Sequence, residues 1–132
     1  MRHALPLMLM LLVAGSPAFA ADQFDLACKG YKWTKVGGSG EAYSFRARID
    51  LAARKWCDGD CKSTQAIVSV GDKELVLTDD GTLNSRMEVA REASFDRQKN
   101  SFHYKMYQSR PTEEYLEYQG DCTIEPFTPF PG

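Results

Sequence analysis

Residues 43–51 read YSFRARIDL, and the spacing of the apolar side chains in this stretch decides the fold class. Tyr43, Phe45, Ala47, Ile49 and Leu51 alternate with Ser44, Arg46, Arg48 and Asp50. A period of two sends one set to a buried face and the other to water, which is the pattern of a strand. A helix competes for the end of the stretch. In RIDLAARKW, residues 48–56, Ile49, Ala52, Ala53 and Trp56 have helical spacing and Asp50 is a capping residue. The longer alternation outweighs it, which leaves one short helix there as the alternative.

Outward from this strand the same period recurs, with turn residues every eight to twelve positions. Upstream, Phe24, Leu26 and Cys28 alternate in a first strand that Gly30 is expected to interrupt before Tyr31 and Trp33. Between the two strands, VGGSGEA at 36–42 reads as a flexible loop. Downstream, Lys55, Trp56 and Cys57 form a short strand, AIVSV at 66–70 a fourth, and ELVLT at 74–78 a fifth. Asp79, Asp80 and Gly81 signal a hairpin turn. Met87, Val89, Ala93 and Phe95 then share an inner face with Arg91. Phe102, Tyr104 and Met106 follow on the next strand, which Arg110, Pro111 and Thr112 end. The last strand carries Leu116, Tyr118, Cys122 and Ile124, with Gly120 at a bulge or close approach. The chain therefore reads as all-β, an antiparallel up-and-down meander of about seven to eight strands.

The cysteines indicate how the meander ends. Four of them, in a chain read as exported, form two disulfides with three possible pairings. Cys57 and Cys61 flank Asp58-Gly59-Asp60, and a tight turn centred on the glycine brings them within bridging distance. Cys28 is then left for Cys122. That bond joins the first strand to the last, so the sheet closes into a small barrel or flattened barrel.

Export is read from MRHALPLMLMLLVAGSPAFA at 1–20, with Arg2 ahead of an apolar run and Ala18 and Ala20 at a cleavage site. The run is too short to span a membrane. Taking 20 residues from 132 leaves 112, enough for one domain. Residues 21–125 form the β domain and 126–132 a Pro/Phe-rich C-terminal arm, PFTPFPG, that folds back over a barrel end or groove. Without Arg2 the balance is 15 Lys and Arg against 18 Asp and Glu, interleaved in sign, so no nucleic-acid partner is implied.

Few residues carry chemistry. Cys57-Asp58-Gly59-Asp60-Cys61 lacks the further ligands zinc needs and the oxygens calcium needs, so it reads as a staple, with no metal or other cofactor implied. His103, the one histidine after export, stands on an outer face without a nucleophile, and no catalytic residue is assigned. Arg91, on an apolar face, snorkels, pairs with an acid, or contacts an anionic ligand.

Taken together, FDLACKG at 24–30, YSFRARIDL, the Trp56-Cys57 pair with its second cysteine, ASFDR at 93–97 and the closing GDC with PFTPFP resemble small exported bacterial proteins that carry no assigned activity. At the level of fold the chain is also similar to lipocalin- and avidin-type small barrels. The ligand motifs of those families are absent, so the likeness implies an architecture and no particular ligand. The expectation is a monomeric, periplasmic or secreted, non-enzymatic barrel that binds a small apolar or amphiphilic ligand or a protein partner. An inhibitor or adaptor of a cell-envelope enzyme comes second, and a small hydrolase-like enzyme third.

Overall fold

The computed structural model describes residues 22–131, so the expected signal peptide lies outside the described residues. Nine strands follow one another: β1 (Gln23–Trp33), β2 (Glu41–Asp50), β3 (Lys55–Asp58), β4 (Gln65–Ala66), β5 (Ser69–Val70), β6 (Glu74–Leu83), β7 (Glu88–Asp96), β8 (Ser101–Arg110) and β9 (Glu114–Glu125). They form one antiparallel sheet in the order β4-β3-β2-β1-β9-β8-β7-β6-β5. The first and last long strands are therefore partners, with Leu26 opposite Ile124 and Cys28 opposite Cys122. The sheet curls into a half-barrel whose seam falls in the middle of the sequence.

Residues 65–70 span that seam. Ile67 N donates to Arg54 O at 2.9 Å on one side, and the next amide, Val68 N, donates to Val76 O at 2.9 Å on the other. AIVSV is thus not one strand. It splits into two bridges because each half pairs with a different edge, and this split raises the strand number to nine.

Three other local expectations are corrected. Gly30 does not interrupt β1, which is continuous to Trp33. Instead Gly30 lies opposite Gly120, and a Cβ at Gly120 would stand 2.7 Å from Lys29 O, so the two strands approach too closely there for side chains. Asp79-Asp80-Gly81 is not a turn, since β6 runs through it to Leu83. Asn84 makes the turn, its Oδ1 accepting from Arg86 N and Met87 N at 2.8 Å each. The short helix at 48–56 is absent. Asp50 Oδ1 accepts from Ala53 N at 2.9 Å, which caps a single turn before β3 resumes the sheet.

The core follows from the alternation. Leu26, Ile49, Leu75, Leu77, Phe95 and Phe102 are buried on the inner face around Trp56. Each such side chain contributes about 1.5–3 kcal/mol by leaving water. Trp56 reaches across the seam, donating from Nε1 to Leu77 O at 3.0 Å, with Thr78 Oγ1 at 3.2 Å. Thr78 in turn donates to Gln65 Oε1 at 3.0 Å. These contacts close the half-barrel at the level of the seam and fill that end.

Both disulfides sit in this frame. Cys28–Cys122 crosslinks β1 and β9, 94 residues apart in sequence, and Cys57–Cys61 closes a loop over a separation of 4. Two such bonds assign the folded chain to an oxidising compartment. The arm folds back on the outer face of β1 and β2. Buried Asp25 accepts from Thr128 N at 3.0 Å and from Thr128 Oγ1 at 2.6 Å, and Arg48 donates to Pro129 O at 2.9 Å. Among the described residues no helix is long and apolar enough to cross a membrane.

Candidate functional site

The end opposite the filled one is open, and the stapled loop is the reason. β3 stops at Asp58, where Gly59 takes φ +59 and Cys61 φ +56, while Cys61 N donates to Asp58 O at 3.0 Å. A left-handed glycine inside this tight turn takes the chain off the sheet edge, and the Cys57–Cys61 bond holds it there. The last contact with β2 is Gly59 N to Arg46 O at 3.0 Å. Beyond it, residues 41–45 of β2 pair with β1 alone among the described strands.

The inner face beside this free edge is aromatic. Phe45 and Tyr118 have ring centroids 4.8 Å apart, Tyr43 and Tyr118 5.4 Å, and Tyr104 and Tyr118 4.8 Å. Edge-to-face and offset contacts of this kind are favourable beyond the area they bury. Tyr43, Phe45 and Tyr104 are only half-buried, so part of the cluster faces solvent. With Arg46, Asp58 and Asp60, the rings of Tyr43, Phe45 and Tyr118 border a cleft of about 460 Å³, within the range of small-ligand sites.

Polar groups fix the ends of the cleft. Tyr118 donates its hydroxyl to Asp58 Oδ2 at 2.9 Å, and Lys32 Nζ lies 4.8 Å from the centre of the Tyr43 ring. Burial, and after it the charge and hydrogen bond of Asp58, push the Tyr118 hydroxyl far above the ordinary tyrosine range. Burial raises Tyr104 too, against the opposing pull of Arg91. Both hydroxyls therefore stay protonated in neutral solution, and that of Tyr118 serves as a donor to Asp58.

Arg91 belongs to the same concave side. It is exposed, opposite Asp80 on β6 and Met106 on β8, and near enough to influence Tyr104. Among the described residues it makes no ion pair within 4.0 Å. His103 lies away from the cleft, with Nε2 3.2 Å from Glu117 Oε2 across β8 and β9. The four cysteines are in disulfides and offer no thiolate to a metal, and no cluster of three or more His, Cys, Asp or Glu side chains occurs among the described residues.

The aromatic cluster is what sequence reasoning left out. Its members stand at inward positions of β2, β8 and β9, where they read as ordinary core. The signal was available in principle: Tyr43, Tyr104 and Tyr118 each carry a hydroxyl, and three such residues on one inner face suit a wet boundary better than a dry core. No family model, curated protein or solved structure matches the chain.

Proposed function

We propose that this chain is an exported, non-enzymatic binding module that holds an amphiphilic guest in the aromatic cleft at the open end of its half-barrel. The guest is a small molecule or a segment of an envelope protein, and the site of action is the periplasm or the medium. One observation carries the reading: a cluster of mutually packed rings, built like a core, is left half-exposed beside the part of β2 that pairs with β1 alone among the described strands. Apolar area held open in this way is stabilised when a guest removes it from water, at about 25 cal/mol per Å². Arg91, on the same concave side and without an ion pair among the described residues, favours a guest with an anionic group at that side.

A second reading, an inhibitor or adaptor of an envelope enzyme, draws on the rigid loop closed by Cys57–Cys61 at the rim of the cleft. Native mass spectrometry of the protein purified from its own periplasm or medium tests both. A stoichiometric small-molecule adduct, or a co-purifying polypeptide, that is lost in Tyr118→Ala supports the proposal. A bare protein whose Tyr43 and Phe45 resonances ignore an amphiphilic probe such as anilinonaphthalene sulfonate would falsify it.

A further inference from the structure

The unpaired backbone of β2 has a definite hydrogen-bonding pattern. Gly59 N donates to Arg46 O, so the main-chain groups of Arg46 point toward the β3 side. Main-chain groups of successive strand residues point to alternate sides, so the N–H and C=O of Ser44 and Ala42 point the same way as those of Arg46. Above Gly59 no described strand covers that side, and Ala42 and Ser44 are exposed. Side chains alternate in step with this. Ser44 and Arg46 stand on the outer face, while Tyr43 and Phe45 point into the cleft.

We infer that the guest is an extended polypeptide segment of a partner protein, which adds to β2 as a short antiparallel strand in the place β3 vacates. This rests on the binding-module reading above and names the occupant of the same cleft. The segment exchanges N–H···O bonds with Ser44 and Ala42, and its alternate side chains, opposite Phe45 and Tyr43, lie on the aromatic rings. Main-chain pairing supplies affinity and the cleft selects the side chains. At the lower end the segment meets Asp58 and Asp60, both exposed, so a basic residue belongs there. The protein's own arm does not fill the place, because Thr128 fastens it to Asp25 on the outer face. Nor does β3 extend into it, because the Cys57–Cys61 loop turns the chain away.

A phage-displayed library of linear seven-residue peptides, panned on the oxidised protein, supplies the probe. The selected peptides should alternate apolar and polar residues with a basic residue near their N-terminal end. A synthetic copy should slow hydrogen exchange at the Ala42 and Ser44 amides. Ser44→Pro deletes an outward N–H while leaving the β1 ladder intact, and should weaken binding by about two- to twelvefold, the loss expected for a single backbone hydrogen bond. A second test does not depend on that variant folding: N-methylation of the peptide should abolish binding at one alternating set of residues and spare the other. Equal binding by Ser44→Pro, unchanged exchange at Ala42 and Ser44, or N-methyl effects without alternation would each overturn the inference. Concentration-dependent protection of the two amides without peptide would also overturn it, by assigning the edge to a second copy. If a small-molecule adduct persists in Ser44→Pro while no peptide is selected, strand addition fails and the binding-module reading stands.

Discussion

Removing the two disulfides separately should destabilise the protein by different amounts, and the structure sets the difference. Cys28–Cys122 closes a loop of 94 residues' separation and Cys57–Cys61 one of 4. In the loop-entropy treatment the first restricts the unfolded chain by about 4.7 kcal/mol and the second by about 2. All four cysteines are buried, so truncating either pair to alanine removes similar packing, and that cost largely cancels in the comparison. The Cys28→Ala/Cys122→Ala protein should therefore be about 2.6 kcal/mol less stable than Cys57→Ala/Cys61→Ala, roughly eighty-fold in the folding equilibrium. Urea titrations at neutral pH, extrapolated to water, measure this. The Cys28–Cys122 variant should also show a larger m-value, because its denatured ensemble expands once the crosslink is gone. A difference below about 1 kcal/mol, or one of opposite sign, would mean that chain entropy does not govern the two bonds.

Other outcomes follow from single contacts. Gly120→Ala should cost about 1–3 kcal/mol by forcing a Cβ toward Lys29 O, and a thermal melt within error of wild type would remove the close approach as its cause. Thr128→Val deletes the hydroxyl donor to Asp25, a loss of about 1.5–3 kcal/mol for a bond to a charged acceptor; chymotryptic cleavage after Phe127 should quicken, and an unchanged rate would mean the arm is held by other contacts. Because the folded-state value of Tyr118 is raised, its contribution to stability is complete below the unfolded value of about 10 and is lost as pH climbs above it. In Tyr118→Phe, alkaline unfolding followed at 295 nm should move to higher pH, and an onset that stays where it was would refute the assignment. Asp50 works in the opposite direction. Its carboxyl is held below the usual range by the Ala53 amide and then by Gln23, so its contribution is present above about pH 4 and fades as pH falls; Asp50→Asn should flatten the acid limb of the stability profile.

The alternation in YSFRARIDL and the cysteine spacing made much of the fold legible, for a physical reason: both are constraints one element imposes without reference to the others. A half-buried strand must alternate, and a separation of 4 leaves Cys57 little choice of partner. The features that were not legible depend on what lies across the sheet. AIVSV has strand composition throughout, and only the presence of different edges beside Ile67 and Val68 divides it. Asp79-Asp80-Gly81 has turn composition, yet the bulge between Val76 and Thr78 and the pairing with β7 carry it on as strand. Phe102 and Tyr104 occupy the same face two residues apart, and nothing in their order says that one is sealed and the other half-open. That distinction is set by where β3 stops, which the Cys57–Cys61 loop decides.

The pairing of β1 with β9 also has a consequence in time. The centre of the sheet is built from the two ends of the described chain, so a polypeptide emerging N-terminus first has no partner for one side of β1 until β9 has arrived. Local hairpins such as β6–β7 can form early, but the long-range contacts that close the core come last. A chain still being synthesised consequently lacks the contacts that close its core, and commits to its rigid form only once β9 has been made.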